Sequence, residues 1–192
     1  MPRSKEFDPD AAVGEAMELF WTQGYATTSP QQLGERMGIG RGSLYNAFKS
    51  KHALFELVLR RYHDLEAIKA IEFLEQPGPV KERVRRLLRM LIESDLNDPQ
   101  RRGCLITNTA IELAGRDETA TKLVARTFDR LEDALEAVIQ EGQRSGELEP
   151  GLEPRSVASF LLNAINGLRV LGKTAEDSSR LDRVVEMVLR SF

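Results

Sequence analysis

The chain has 192 residues, with 27 Lys and Arg against 30 Asp and Glu and a formal net charge of −3. An apolar share of 41% is enough for a real core and excludes global disorder, and a single cysteine, Cys104, excludes an intramolecular disulfide framework and fits a reducing cytoplasm. Two histidines and that one cysteine, widely spaced, leave no zinc-finger-type metal site, and no residue pattern calls for a cofactor. Residues 1–10 hold no apolar run, so no signal peptide is expected, and no stretch approaches the ~18–20 apolar residues that span a bilayer.

Helix formers dominate and period-two alternation is missing, which predicts an all-α chain of about nine helices. A first helix is expected over 10–23, where Val13, Ala16, Met17 and Phe20 share one face and Gly24 supplies the stop. Ser29 is an N-cap, Pro30 suits the first helical position, and Gln32 completes a capping box for a short second helix that Gly38 ends. After the tight turn Gly38-Ile39-Gly40, a third short helix fits 41–48. A long fourth helix is predicted over 51–75, broken by Gln76-Pro77-Gly78-Pro79. Further helices fit 80–96, 104–114, 118–144, 154–173 and 178–191. The chain divides within the fourth helix into a head, residues 1–60, and a larger helical body, residues 61–192.

Two short helices joined by a glycine turn, with an amphipathic helix ahead of them, make a three-helix DNA-binding head. Leu33, Met37, Ile39, Leu44 and Phe48 form the apolar seam, and Gly34 is small enough to let the helices cross closely. The outer face of the third helix keeps Arg41, Ser43, Tyr45, Asn46 and Lys49, residue types that read base edges or hold phosphates. Net charge by segment agrees: residues 26–62 carry +4, residues 63–192 carry −4 and the first 25 residues −3. An overall acidity that argues against a nucleic-acid partner therefore hides a basic head.

The run from Ala16-Met17-Glu18-Leu19-Phe20 to Gly24-Tyr25, then Leu33, then Gly38 through Leu54 with its Leu-Tyr-x-x-Phe-x-x-Lys core, resembles the head of the tetracycline-repressor (TetR/AcrR) family over residues 10–60. Arg102-Gly103-Cys104-Leu105-Ile106-Thr107-Asn108 resembles one large subgroup of that family in the body. The departures are Ala47 where many relatives have His, and Gly40 where Ser or Thr is common. The resemblance implies a homodimeric, ligand-responsive repressor with its third helix in the major groove. It implies that Gln31, Arg41, Gly42, Ser43, Tyr45 and Asn46 face bases or the adjacent backbone. Ser29, Tyr45, Lys49 and Lys51 would hold phosphates, and Arg3 and Lys5 would reach the flanking minor groove if their tail were ordered.

The helix over 154–173 is apolar on both sides, with Val157, Phe160, Leu161, Ala164, Leu168 and Leu171 on one face and Leu162, Ile165 and Val170 around the rest. Such a helix is buried on both sides, one against the body and one against a twin subunit. Together with 178–191 it resembles the family's dimer seam, and a two-fold dimer matches a palindromic operator. For the effector, Asn108, Glu112, Asn163, Asn166 and Arg169 stand as polar anchors, with Phe128 and Phe160 as apolar wall, although each polar group is as readily a satisfied interior one. Cys104 follows Arg101 and Arg102 at a helix start, where dipole and cations favour the thiolate; the alternative is a buried small hydrophobe. A thiol enzyme requires His52 or His63 beside Cys104, and a helical scaffold has no need for Arg41, Tyr45 and Lys51 on one surface.

Overall fold

The computed structural model describes residues 8–192. All regular structure among them is helical: α1 (Pro9–Gln23), α2 (Pro30–Met37), α3 (Arg41–Phe48), α4 (Lys51–Tyr62), α5 (Ile68–Leu74), α6 (Val80–Asn97), α7 (Leu105–Leu113), α8 (Glu118–Ser145), α9 (Pro154–Gly172) and α10 (Ser179–Arg190). Local chemistry explains the starts. Asp8, Ser29, Ser50, Cys104, Asp117 and Glu153 each accept a backbone N–H at the head of their helix, and Pro9, Pro30 and Pro154 occupy first-turn positions whose N–H would have had no helical partner.

The predicted fourth helix is interrupted. α4 and α5 run end to end through a π-helical turn, His63–Ala67. A π turn inserts a surplus residue into an otherwise continuous helix, so the helical pattern of the sequence carries no mark of it. The minor-groove contacts expected of Arg3 and Lys5 lie outside the described residues.

The buried residues fall into two clusters. One gathers Phe20 from α1, Leu33 from α2, Leu44 and Phe48 from α3, and Leu54, Phe55, Val58, Leu59 and Tyr62 from α4. Leu105 and Ile106 of α7 and Ala120 and Val124 of α8 belong to that same cluster, so the head does not close its core by itself. Burying each such large side chain contributes roughly 1.5–3 kcal/mol. The second cluster joins α5, α6, the C-terminal half of α8, α9 and α10. The long helix α8 thus spans both, with α4 lying along its first half and α9 along its second.

Candidate functional site

The helix-turn-helix is built from its glycines and its cap. Ser29 Oγ accepts the Gln32 N–H at 3.2 Å while Gln32 Oε1 accepts the Ser29 N–H at 2.8 Å, closing the capping box on α2. Gly38 turns the chain in the left-handed region, φ 67°, and Ile39 N–H then donates to Gly34 O at 2.9 Å. A Cβ on Gly34 would stand 2.8 Å from Ile39 O, so only hydrogen fits there. This turn sets α3 against α2 and leaves Arg41, Gly42, Ser43 and Asn46 exposed on the outer face, with Tyr45 half-buried beside them. The Arg41 guanidinium lies 5.7 Å from the Tyr45 ring centroid. Lys49, just past the end of α3, is exposed and has φ 66°. Among the described residues neither Arg41 nor Lys49 has an ion-pair partner. Gln31 is exposed on α2 and donates to Glu35 Oε1 at 2.9 Å.

Lys51 is placed differently from its neighbours. Its Nζ donates to Tyr25 O at 2.8 Å and Thr28 O at 2.9 Å and sits 4.1 Å from the Tyr25 ring centroid. Burial lowers its ammonium below the ordinary lysine range, with Glu112 opposing. Two of its three N–H groups are therefore spent on the α1–α2 turn, and the third bonds neither carbonyl.

Head and body are tied at several points. Glu112 of α7 accepts the backbone N–H groups of Tyr25 at 3.0 Å and Ala26 at 2.6 Å. His52 bridges Glu56 and Asp117, whose carboxyl the Ala120 N–H and then His52 hold below the usual carboxylate range. Trp21 Nε1 donates to Gly103 O at 3.0 Å, and the same oxygen accepts from Arg169 Nη2 at 3.0 Å. One carbonyl thus joins α1 of the head to α9 of the body.

Between α4, α7, α8 and α9 lies a mostly apolar cavity of about 80 Å³. Cys104, Phe128, Asn166 and Arg169, named from the sequence as effector candidates, line it; so do Tyr62, Thr107 and Thr127, which sequence reasoning missed. Thr107 Oγ1 donates to Asn166 Oδ1 at 2.8 Å, and the buried Arg169 pairs with buried Asp95 at 2.9 Å. Burial pushes the Tyr62 phenol well above its ordinary range; Cys104 and the Leu105 N–H flank its oxygen. The signal for Thr107 and Thr127 was a threonine at an otherwise apolar helical position.

The other effector candidates stand elsewhere. Glu112 caps the α1–α2 turn, as above. Asn108 donates to Arg102 O at 2.8 Å and accepts from Lys173 Nζ at 3.0 Å, outside the cavity. Phe160 is 44% exposed and Asn163 is exposed, because both lie on the face of α9 turned away from the body. The two histidines do not form a pair with Cys104: His63 Nδ1 is 3.2 Å from Thr127 Oγ1 and its Nε2 is 3.1 Å from Arg130 Nη1, while His52 is held at Asp117.

Known proteins resemble this arrangement from end to end. Residues 13–58 match the family model described as bacterial regulatory proteins, tetR family, and residues 80–188 match the tetracyclin repressor-like C-terminal domain. An HTH-type transcriptional regulator of Bacillus subtilis, YezE, is 32% identical over 191 residues, 98% of each chain. The HTH-type transcriptional repressor ComR of Escherichia coli is 28% identical across 98% of this chain and 90% of its own. Among solved structures, a cysteine mutant of the regulator CifR complexed with a 26-base-pair operator DNA superposes with a TM-score of 0.88 at 29% identity, covering 99% of this chain and all of that one.

Proposed function

Because the chain belongs to the tetR family of bacterial regulatory proteins, it is a DNA-binding transcriptional regulator, and we propose that it is a cytoplasmic repressor which a small effector releases from a palindromic operator. The observation that carries this reading is that α4 serves both ends of the mechanism. Its first turn holds the helix-turn-helix through Lys51, and its last residue, Tyr62, lines the cavity. In the proposed complex α3 lies in the major groove, with Arg41 and Asn46 at base edges and Ser29, Tyr45, Lys49 and Lys51 on phosphates. Gln31, Gly42 and Ser43 face bases or the adjacent backbone. An effector acts only through its differential affinity for two settings of α4, one with the two recognition helices of a dimer at operator spacing and one without.

We read the head as residues 1–60 and the effector and dimerisation body as 61–192, with Cys104, Phe128, Asn166 and Arg169 as the effector contacts. We read the protein as a regulator and not as a thiol enzyme, since both histidines are engaged away from Cys104. Among the described residues no helix is long and apolar enough to cross a membrane.

Operator titrations by fluorescence anisotropy test the reading. Arg41→Ala is expected to cost ~1–3 kcal/mol on the cognate site and to relax base preference at one position. Lys49→Gln is expected to weaken all sequences alike and to reduce the salt slope by about 1. Lys49 serves better here than Lys51, whose removal also frees the Tyr25 and Thr28 carbonyls. Equal losses on cognate and random DNA for both variants would overturn the assignment of α3. A second reading, release through oxidation or alkylation of Cys104, is favoured by the place of that thiol at the cavity beside Gly103, whose carbonyl holds Trp21 of the head. The same titration with oxidant decides it: release that persists in Cys104→Ser removes the thiol from the mechanism.

A further inference from the structure

A second cleft adjoins the cavity. It lies between α4 and α8, has a volume of about 300 Å³, and presents the side chains of Arg60, His63, Asp64, Arg126, Thr127 and Arg130. Asp64 is the single carboxylate among the described lining residues, against three guanidinium groups. Arg60 lies 4.0 Å from Glu56, a loose contact at an exposed position that leaves most of its charge available.

The histidine in this cleft adds no charge of its own. Arg130 Nη1–H can only donate, so His63 Nε2 accepts at 3.1 Å and the ring proton sits on Nδ1. Nδ1 is 3.2 Å from Thr127 Oγ1 and donates that proton to it, while the Thr127 hydroxyl donates to Leu123 O at 3.0 Å. The chain of hydrogen bonds is consistent only with a neutral imidazole. Burial, and then the positive field of Arg130 and Arg126 against the opposing pull of Asp64, holds His63 below its ordinary range. Arg130 is thus positioned by a neutral acceptor, and its charge faces the cleft together with that of Arg126.

Thr127 lines this cleft and the apolar cavity at once. The two adjoin at that side chain, and Phe128 and Leu131 of α8, on the cavity side, are apolar. The π-helical turn begins at His63 on the opposite wall. Such turns carry one surplus residue, kink the helix and recur at functional sites.

We propose that the effector is an amphipathic organic anion, its apolar tail in the cavity around Phe128 and Leu131 and its carboxylate or phosphate on Arg126 and Arg130, the two parts meeting at Thr127. This deepens the effector-cavity reading above and rests on it. A neutral apolar ligand would leave the arginine cleft unused, and a bare anion would leave the cavity unused. An anion on Arg130 competes for the guanidinium that His63 now accepts from, and so acts at the start of the π turn, on the helix that carries the head.

Calorimetric titration of the full-length protein, followed by operator titration with the same additions, tests this with butanoate and butyl phosphate, whose short tails suit a cavity of about 80 Å³, compared with butanol and inorganic phosphate, on wild type and on Arg126→Gln/Arg130→Gln. Both arginines are exposed on α8, so the double variant is expected to keep its fold, which its thermal midpoint checks. The expected result is saturable binding of at least one of the two butyl anions, weakened about tenfold or more by loss of its charge-assisted contacts in the double variant, with butanol and inorganic phosphate much weaker on wild type. Preference between butanoate and butyl phosphate identifies the headgroup. Butanol binding as tightly as the anions, or anion binding unchanged in the double variant, overturns the anionic headgroup and leaves the cavity as an effector site. Absence of binding by all four probes overturns the inference as well, whereas failure of the effector-cavity reading itself would appear as saturable binding that leaves operator affinity unchanged.

Discussion

Gly34 shows how a single hydrogen atom sets the recognition surface. Its Cα faces the Ile39 carbonyl so closely that a methyl group would sit 2.8 Å from that oxygen, and the oxygen is backbone, fixed by the turn that orients α3. Gly34→Ala must push α2 and α3 apart. A loss of about 1–3 kcal/mol is expected, as for other overpacked sites. Operator affinity should fall beyond what the stability loss explains, because the angle between the helices changes. Gly42 supplies the contrast: a Cβ there meets nothing within 4 Å and its backbone is helical. Gly42→Ala should gain roughly 0.5–1 kcal/mol from reduced chain freedom. Urea midpoints of the two variants check both; a Gly34→Ala protein as stable as wild type would show that the turn yields easily.

Between elements, the pair that matters most is Asp95 of α6 with Arg169 of α9. Both are buried, 2.9 Å apart, and Arg169 also donates to the carbonyls of Gly103 and Leu91. Burial raises the Asp95 carboxyl to about 6 despite Arg169, Lys173 and Arg101, which pull it down. A carboxyl whose folded value lies above the unfolded one binds more protons when folded, so its contribution to stability falls as pH rises from about 4 to about 6 and is recovered on acidification. Asp95→Asn strands a buried guanidinium and should cost about 3–5 kcal/mol at neutral pH. The gap between wild type and variant should widen from pH 7 to pH 4.5 in denaturant titrations; a gap that narrows would mean that Arg169, not burial, governs Asp95. This network also marks where sequence reasoning reached its end. Helix boundaries were legible because Ser29, Pro30, Gly38, Pro77 and Gly146 act locally, within a turn of themselves. The polar side chains were not, because their partners are remote: Glu112 bonds residues 86 and 87 positions away, and Lys51 bonds carbonyls 23 and 26 positions away. A helical face tells that a polar residue is turned inward, and only the packing tells whether it meets a cavity, a cap or another helix.

For the whole molecule the outstanding feature is the outward face of α9 and α10. Phe160, Val170, Leu171 and Met187 are between 37% and 64% exposed in the single chain, an apolar surface of the kind that marks an interface. The opposite faces of the same two helices, with Leu161, Ile165, Leu168, Leu181 and Val185, belong to the body core. A helix apolar on both sides is accounted for once a second subunit covers the outer face, and two copies of α9 and α10 about a two-fold axis form a four-helix seam. Gly167 lies in the middle of the exposed stripe, where a Cβ would meet nothing of its own chain within 4 Å. Gly167→Arg therefore adds no clash inside the monomer but places a charged side chain in the seam. Light scattering should find wild type dimeric and the variant monomeric, with helical content unchanged. Because the second half-site is then no longer tethered, operator affinity should fall by roughly 10²–10⁴-fold, the usual effect of losing bivalent attachment. A Gly167→Arg protein that remains dimeric would place the seam on another face and leave the exposed residues of α9 without a partner.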